Sequence, residues 1–154
     1  MERVQVLAGI DVAMGGAGAD VGTCIGAEAG SDAARALAGK RLGLITNPTG
    51  VTRSLDATLD VLHRDGRFRL VAAFGPEHGL RGEAQDAVDI GDFRDERTGL
   101  PVYSLYGANR RPTPKALAGL DALVFDIQDV GVRFYTFIST MVLAMRACAE
   151  VGRE

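Results

Sequence analysis

The stretch that decides the fold is LVAAFGPEHG, residues 70–79. Five apolar residues in a row, followed by glycine and proline, are typical of a strand that is buried on both faces of a sheet. Glu77 and His78 come directly afterwards, so two side chains that can exchange protons lie where this strand ends. In open α/β sheets, the loops that leave the carboxyl ends of parallel strands line the ligand crevice. The stretch therefore predicts a buried strand and a functional loop behind it.

The same order of strand, polar loop and helix recurs along the chain. Apolar runs predict three further strands, at 41–46, 101–105 and 120–125. Helical spacing predicts helices at 32–38 and 54–63, a short helix that ends near 117, and a long helix that begins near 134. Alternating strands and helices favour a parallel sheet with right-handed crossovers. We therefore predict an α/β fold, a Rossmann-like three-layer domain with a mostly parallel sheet and helices on both faces. One stripe of the last helix is expected to be core: Phe137, Ile138, Met141, Met145 and Cys148.

Composition excludes several classes of protein. With 154 residues, of which 47% are hydrophobic and 24% charged, the chain fits one globular domain and contains no membrane-spanning stretch. The net charge of -3 and the scattered arginines argue against nucleic acid as a partner. Cys24 and Cys148 lie far apart in unlike contexts, so neither a disulfide framework nor a metal site is indicated. We expect no metal and no cofactor.

The chain divides into a leader, residues 1–38, and an α/β unit, residues 39–154. The leader contains a Gly/Ala-rich segment in which residues 16–22 superficially resemble a dinucleotide-binding loop, but the glycine spacing is off by one residue. The first residues show no secretory signal, so the sequence as given is consistent with the cytoplasm. The sequence stops after a helix, where a doubly wound sheet would add a strand. We therefore expect the unit to be truncated before a second domain.

Polar side chains follow each of the four predicted strands. Because the carboxyl ends of parallel strands meet at one edge of a sheet, these side chains are expected to converge there. They are Thr46, Asn47, Glu77, His78, Tyr106, Asn109, Arg110, Asp126, Gln128 and Asp129. Carboxylates, an imidazole and amides in one crevice suit proton transfer to a hydroxylated substrate. The structural alternative is that Asp126 caps a helix, Glu77 pairs with Arg81 and Asn47 holds a turn.

Four long motifs, at residues 44–51, 74–82, 100–107 and 124–136, carry a family resemblance. In this order they resemble the bacterial exo-β-N-acetylmuramidase family, long filed as a domain of unknown function, and the resemblance runs from about Gly39 to Gly152. It implies a glycosidase that removes N-acetylmuramic acid from the non-reducing end of peptidoglycan fragments during cell-wall turnover and recycling. It also implies a Rossmann-like domain followed by a second domain, with the active site between them. Members of this family are often exported.

The resemblance implies roles for individual residues. Glu77 matches the family's proposed catalytic residue and is our candidate acid, and His78 lies beside it. The remaining matched positions are expected to line the substrate cleft: Asn47, Arg81, Asp126, Gln128 and Arg133, to which the strand-end argument adds Tyr106. The expected partners are a muramyl saccharide and the missing C-terminal domain of the same polypeptide, without which we expect the fragment to be inactive.

Two other classes of function stay open. One is a non-catalytic sugar-binding or scaffold domain. The other is a Rossmann enzyme that uses a nucleotide, although residues 47–50 replace the glycine-rich phosphate loop that such an enzyme needs after its first strand. The choice between retaining and inverting hydrolysis is also open.

Overall fold

The structure, a computed structural model, describes residues 32–82 and 91–153. The leader predicted at residues 1–38 lies outside the described residues, apart from residues 32–38. The elements in chain order are α1 (Asp32–Leu37), β1 (Arg41–Thr46), α2 (Thr58–Arg64), β2 (Arg69–Gly75), β3 (Phe93–Arg94), β4 (Pro101–Ser104), α3 (Pro114–Leu117), β5 (Ala122–Asp126) and α4 (Phe137–Glu150).

The five described strands form one sheet in the order β3-β4-β2-β1-β5. β1 pairs with β2 and β5, and β2 pairs with β4, in each case in parallel. This confirms the predicted mostly parallel sheet. The two-residue strand β3 pairs antiparallel with β4 at one edge. It was not predicted, because it lies in a polar segment without an apolar run.

Helices cover both faces of the sheet, as predicted. On one face Leu59 and Leu62 of α2 pack with Leu42 and Leu44 of β1. On the other face α3 and α4 pack in a second cluster that includes Ile45 of β1. Successive side chains of a strand point to opposite faces, so β1 contributes to both cores. A continuous apolar run was therefore the correct signal for a strand covered on two sides.

The predicted start of α2 at residue 54 is wrong. Residues 51–57 form a turn closed by an antiparallel bridge between Val51 and Ala57. Within it, Thr52 Oγ1 accepts hydrogen bonds from the backbone N–H groups of Ser54 and Asp56. A threonine side chain that satisfies backbone groups locally competes with helix formation. Leu55, which the helical spacing included, has a φ of 65° and is 80% exposed.

The predicted buried stripe of α4 is partly wrong, and the helix begins at Phe137 rather than near residue 134. Ile138 is 53% exposed and Met145 is 64% exposed, whereas Phe137 and Cys148 are buried as expected. The rest of the buried face consists of smaller side chains, Thr140, Ala144 and Ala147. Apolar residues occur on more than one side of this helix, so their spacing alone does not determine which side meets the sheet.

Candidate active site

The four loops at the carboxyl ends of β1, β2, β4 and β5 lie along one edge of the sheet. The strand register shows this directly: Thr46 pairs with Asp126 and Gly75 pairs with Ser104. The strands β2 and β5, which lead to the Glu77 loop and to Asp126, are separated by β1, so these two strands lie about 10 Å apart, which is two strand spacings. The structure therefore places the predicted strand-end residues along this edge, in two groups.

The first group joins the loops after β1 and β5 through one hydroxyl. Asn47 is buried, and its Oδ1 accepts hydrogen bonds from the backbone N–H of Thr49 at 2.9 Å and from Thr49 Oγ1 at 2.7 Å. Thr49 Oγ1 in turn accepts the backbone N–H of Gln128 at 3.0 Å. Asn47 thus holds a turn, as the structural alternative proposed. Through Thr49 the same turn fixes the backbone at Gln128, whose own side chain is exposed.

Asp126 is held by two threonines. Thr46 Oγ1 donates to the Asp126 backbone carbonyl at 2.9 Å, and Thr58 Oγ1 donates to its carboxylate at 2.5 Å. Residues 127–136 separate Asp126 from α4, so it does not cap that helix. Gly50 packs against this arrangement so closely that a Cβ there would lie 2.0 Å from Thr46 Oγ1. Asp126 is therefore a fixed, partly buried carboxylate at the edge.

The second group is the loop after β2. The Glu77 carboxylate is half-buried and forms no hydrogen bond or ion pair within residues 32–82 and 91–153. His78 is exposed and has a φ of 72°, an uncommon conformation for a residue with a side chain. His78 and Tyr106 line a small cavity of about 10 Å³ between the loops after β2 and β4. This loop presents a carboxylate and an imidazole at the edge.

Arg81 does not pair with Glu77, contrary to the structural alternative. Its guanidinium donates to Asp95 at 2.6 and 2.9 Å and to Asp60 at 2.7 and 3.2 Å. Hydrogen bonding to Asp95 and Asp60 raises the pKa of Arg81. The hydrogen bond from Arg81 lowers the pKa of both aspartates. Arg97 adds a contact to Asp60 at 3.2 Å.

A cavity of about 230 Å³ lies beside this cluster and extends to the loop after β1. Asn47, Pro48, Arg81 and Arg97 are among the residues that line it. Asp60, Asp95 and Arg97 were not predicted as part of the site. The only sequence signal was an acidic residue in the first turn of a helix, which is common for purely structural reasons.

Arg133 is exposed on the loop after β5, and within residues 32–82 and 91–153 no hydrogen bond or ion pair joins it to the other predicted site residues. Residues 32–82 and 91–153 contain no group of three or more histidine, cysteine or acidic residues that could hold a metal ion. In the same part of the chain, no helix is long and apolar enough to cross a membrane.

Residues 42–154, which include all of these loops, match the family described as exo-beta-N-acetylmuramidase NamZ, N-terminal. The chain belongs to this family. The match confirms the resemblance that the four motifs indicated. The NamZ N-terminal region found here contains β1 through α4.

Individual relatives agree with this assignment. The peptidoglycan beta-N-acetylmuramidase NamZ of Bacillus subtilis strain 168 is 54% identical over 121 residues, which are 79% of this chain and 29% of that protein. A solved DUF1343 family protein from Bacteroides fragilis NCTC 9343 matches with a TM-score of 0.72 and 53% identity, over 78% of this chain and 29% of that chain. A second one from the same organism matches with a TM-score of 0.62 and 38% identity, over 78% and 30%. This chain thus spans less than a third of the length of these relatives.

Proposed function

We propose that this chain is the N-terminal part of an exo-β-N-acetylmuramidase, which releases N-acetylmuramic acid from the non-reducing end of peptidoglycan fragments. The observation that carries the proposal is the 54% identity to a peptidoglycan beta-N-acetylmuramidase, together with a family match that includes the Glu77 loop. The division at residue 39, with a leader before it and the catalytic half after it, is part of the proposal.

Glu77 is proposed as the general acid. Glycoside hydrolysis needs a carboxylic acid that protonates the leaving oxygen and a second group that activates water or attacks the anomeric carbon. Glu77 suits the first role because it lies on the loop after β2, half-buried and without a partner among the described residues. A carboxylate already committed to an ion pair would be less available for proton transfer.

The other site residues differ in whether their side chains already form hydrogen bonds within the fold. Asn47 and Asp126 are engaged in fixing the loops after β1 and β5, so their proposed contribution is to shape the cleft and present remaining oxygen lone pairs to sugar hydroxyls. His78, which follows Glu77 in the chain, and Tyr106 line the same small cavity and are proposed to contact the sugar. Gln128 and Arg133 are exposed on the loop after β5 and are proposed to bind the substrate from that side.

The second catalytic group is proposed to come from the polypeptide that the longer relatives carry in addition to this region, because this chain spans 29% of the curated relative. Asp126, the carboxylate at the end of β5, already accepts a short hydrogen bond from Thr58. On this basis the fragment by itself is expected to bind muramyl saccharides weakly, without turnover.

The test is release of N-acetylmuramic acid from a chromogenic muramic glycoside by a full-length protein that carries this sequence. Glu77→Gln keeps the shape of the loop but removes the proton donor, and should lower kcat by about a hundredfold or more. Asp65→Asn, at the opposite end of α2, is the matched control and should leave kcat unchanged. A kcat of the Glu77→Gln variant equal to that of the wild-type protein would refute the assignment of Glu77 as the general acid.

A non-catalytic sugar-binding domain is the second candidate, favoured by the engagement of the Asp126 carboxylate, which accepts a hydrogen bond from Thr58. It predicts that the full-length protein binds N-acetylmuramic acid without hydrolysing any muramic glycoside. Calorimetric titration with the free sugar, performed alongside the turnover assay, separates the two functions.

A further inference from the structure

The loop that carries Glu77 is anchored at its far end by two successive residues. Leu80 is 3% exposed and packs in the core between the sheet and α2. Arg81 then forms four hydrogen bonds, two to Asp60 of α2 and two to Asp95 in the turn before β4. The loop is therefore tied to two elements that lie outside it in the sequence.

The backbone on both sides of these anchors needs such support. His78 has a φ of 72°, and Gly79 and Gly82 both have a φ of 81°. Glycine adopts this left-handed conformation freely, but histidine does so at a cost in free energy. Conformations of this kind persist only where the surroundings hold them, and they are frequent at functional sites. The ion cluster at Arg81 and the buried side chain of Leu80 are described contacts that can hold this loop.

The cluster is itself rigid. Asp95 is 3% exposed, and besides Arg81 its carboxylate accepts hydrogen bonds from the backbone N–H of Thr98 at 2.9 Å and from Thr98 Oγ1 at 2.7 Å. Its backbone N–H donates to the Leu100 carbonyl at 3.0 Å. Asp60 is fixed in the helix α2. Arg81 therefore binds to two carboxylates whose positions are set by other parts of the fold.

We propose that Asp60 and Asp95 are positioning residues of the glycosidase reaction, which hold the loop through Arg81 so that Glu77 reaches the leaving oxygen. This inference rests on the proposed function. It names two residues that neither contact the substrate nor exchange protons with it. Because a misplacement of about 1 Å can cost about a hundredfold in rate, loosening this anchor should reduce catalysis without removing the acid.

The test uses a full-length protein that carries this sequence and two muramic glycosides with different leaving groups. An alkyl leaving group needs protonation, whereas a dinitrophenolate leaves without it. Asp95→Asn and Asp60→Asn should each lower kcat for the alkyl glycoside by about tenfold or more, with KM nearly unchanged, because Glu77 is displaced. Turnover of the dinitrophenyl glycoside should change little.

Asp65→Asn is the matched control for this comparison. Asp65 also pairs with an arginine, Arg67, at 2.7 Å and is largely buried, but it lies at the far end of α2 from this edge. It should affect neither substrate. A general loss of folded protein would lower turnover of both glycosides by the same factor, so the ratio between them reports positioning rather than stability.

Each outcome is decisive. If the wild-type protein hydrolyses neither glycoside, the proposed function fails and this inference fails with it. If Glu77→Gln shows the leaving-group dependence but Asp95→Asn and Asp60→Asn do not, the function stands and the positioning role is refuted. Hydrogen exchange at the Gly79 and Gly82 amides gives an independent measurement. Asp95→Asn should accelerate this exchange while exchange in β1 stays unchanged. Protection equal to that of the wild-type protein would contradict the proposal that Asp95 anchors the loop.

Discussion

Removing the guanidinium of Arg81 should destabilise the fold far more than removing that of Arg41, which forms an equally short ion pair. Arg81→Met keeps most of the aliphatic volume but deletes four hydrogen bonds. Asp95, whose side chain is 4% exposed, would then keep only the donors of Thr98. A buried carboxylate without its cation is among the costly defects that a single substitution can produce.

The magnitude follows from the exposure of the three side chains. Breaking a buried ion pair by removing one partner costs about 3–5 kcal/mol. The Arg81 side chain is 20% exposed and that of Asp60 is 14% exposed, so water offsets part of the loss. We therefore expect about 3 kcal/mol, which for a unit of this size lowers Tm by about 10 °C.

Urea unfolding followed by circular dichroism measures this cost, with Arg41→Met as the control. Arg41 forms an equally short pair with Asp121, at 2.7 Å, but both side chains are well exposed, at 40% and 37%. Exposed pairs contribute little, so the control should unfold close to wild type. A loss for Arg81→Met no larger than that for Arg41→Met would refute the claim that burial makes the Arg81 cluster important.

Three further predictions concern other features of the fold. The pKa of Asp95 is lowered in the folded state, mainly by Arg81, so ionised Asp95 stabilises the fold fully above the ordinary aspartate pKa of about 3.9, and this stabilisation is lost on acidification. Asp95→Asn should therefore flatten the fall in unfolding free energy below about pH 4. An unchanged slope would contradict this. Gly50→Ala should cost at least about 1–3 kcal/mol because its Cβ would overlap Thr46 Oγ1, whereas Gly66→Ala, with no atom within 4 Å, should be close to neutral by urea unfolding. The isolated chain should self-associate through the apolar side chains exposed on α4, so Ile138→Ser should reduce light scattering while Leu55→Ser, 80% exposed elsewhere, should not; a clean monomer at high concentration would refute this.

The four parallel strands were predictable from the sequence because each lies in a largely apolar run, and the interior strands β1 and β2 are mostly buried. Continuous apolar runs such as 70–74 leave few alternatives, and their parallel pairing follows from the intervening helices. The orientation of α4 was not predictable in the same way. Ala144 and Ala147 face the sheet while Ile138 and Met145 are exposed, although hydrophobicity alone ranks the larger residues as the better core.

The candidate site was predictable as a place but not as a network. Strand ends located Asn47, Glu77 and Asp126 at one edge, since that argument needs only the order of elements. The partners of Arg81 lie 14 and 21 residues away along the chain, in a turn and a helix whose relative placement depends on the whole sheet. No local pattern encodes such a cluster, which is why Asp60 and Asp95 emerged only from the structure.

The position of β1 between β2 and β5 has a consequence for biosynthesis. Its partner strand β5 lies 80 residues further along the chain, as the contact between Thr46 and Asp126 shows, whereas β2 follows soon after α2. At about 5–20 residues per second, a ribosome needs about 4–16 s to supply β5 after β1. Throughout this interval the backbone N–H and C=O groups on one side of β1 are unpaired and can form hydrogen bonds with a strand of another chain. The nascent chain is thus exposed to misassembly until β5 pairs with β1.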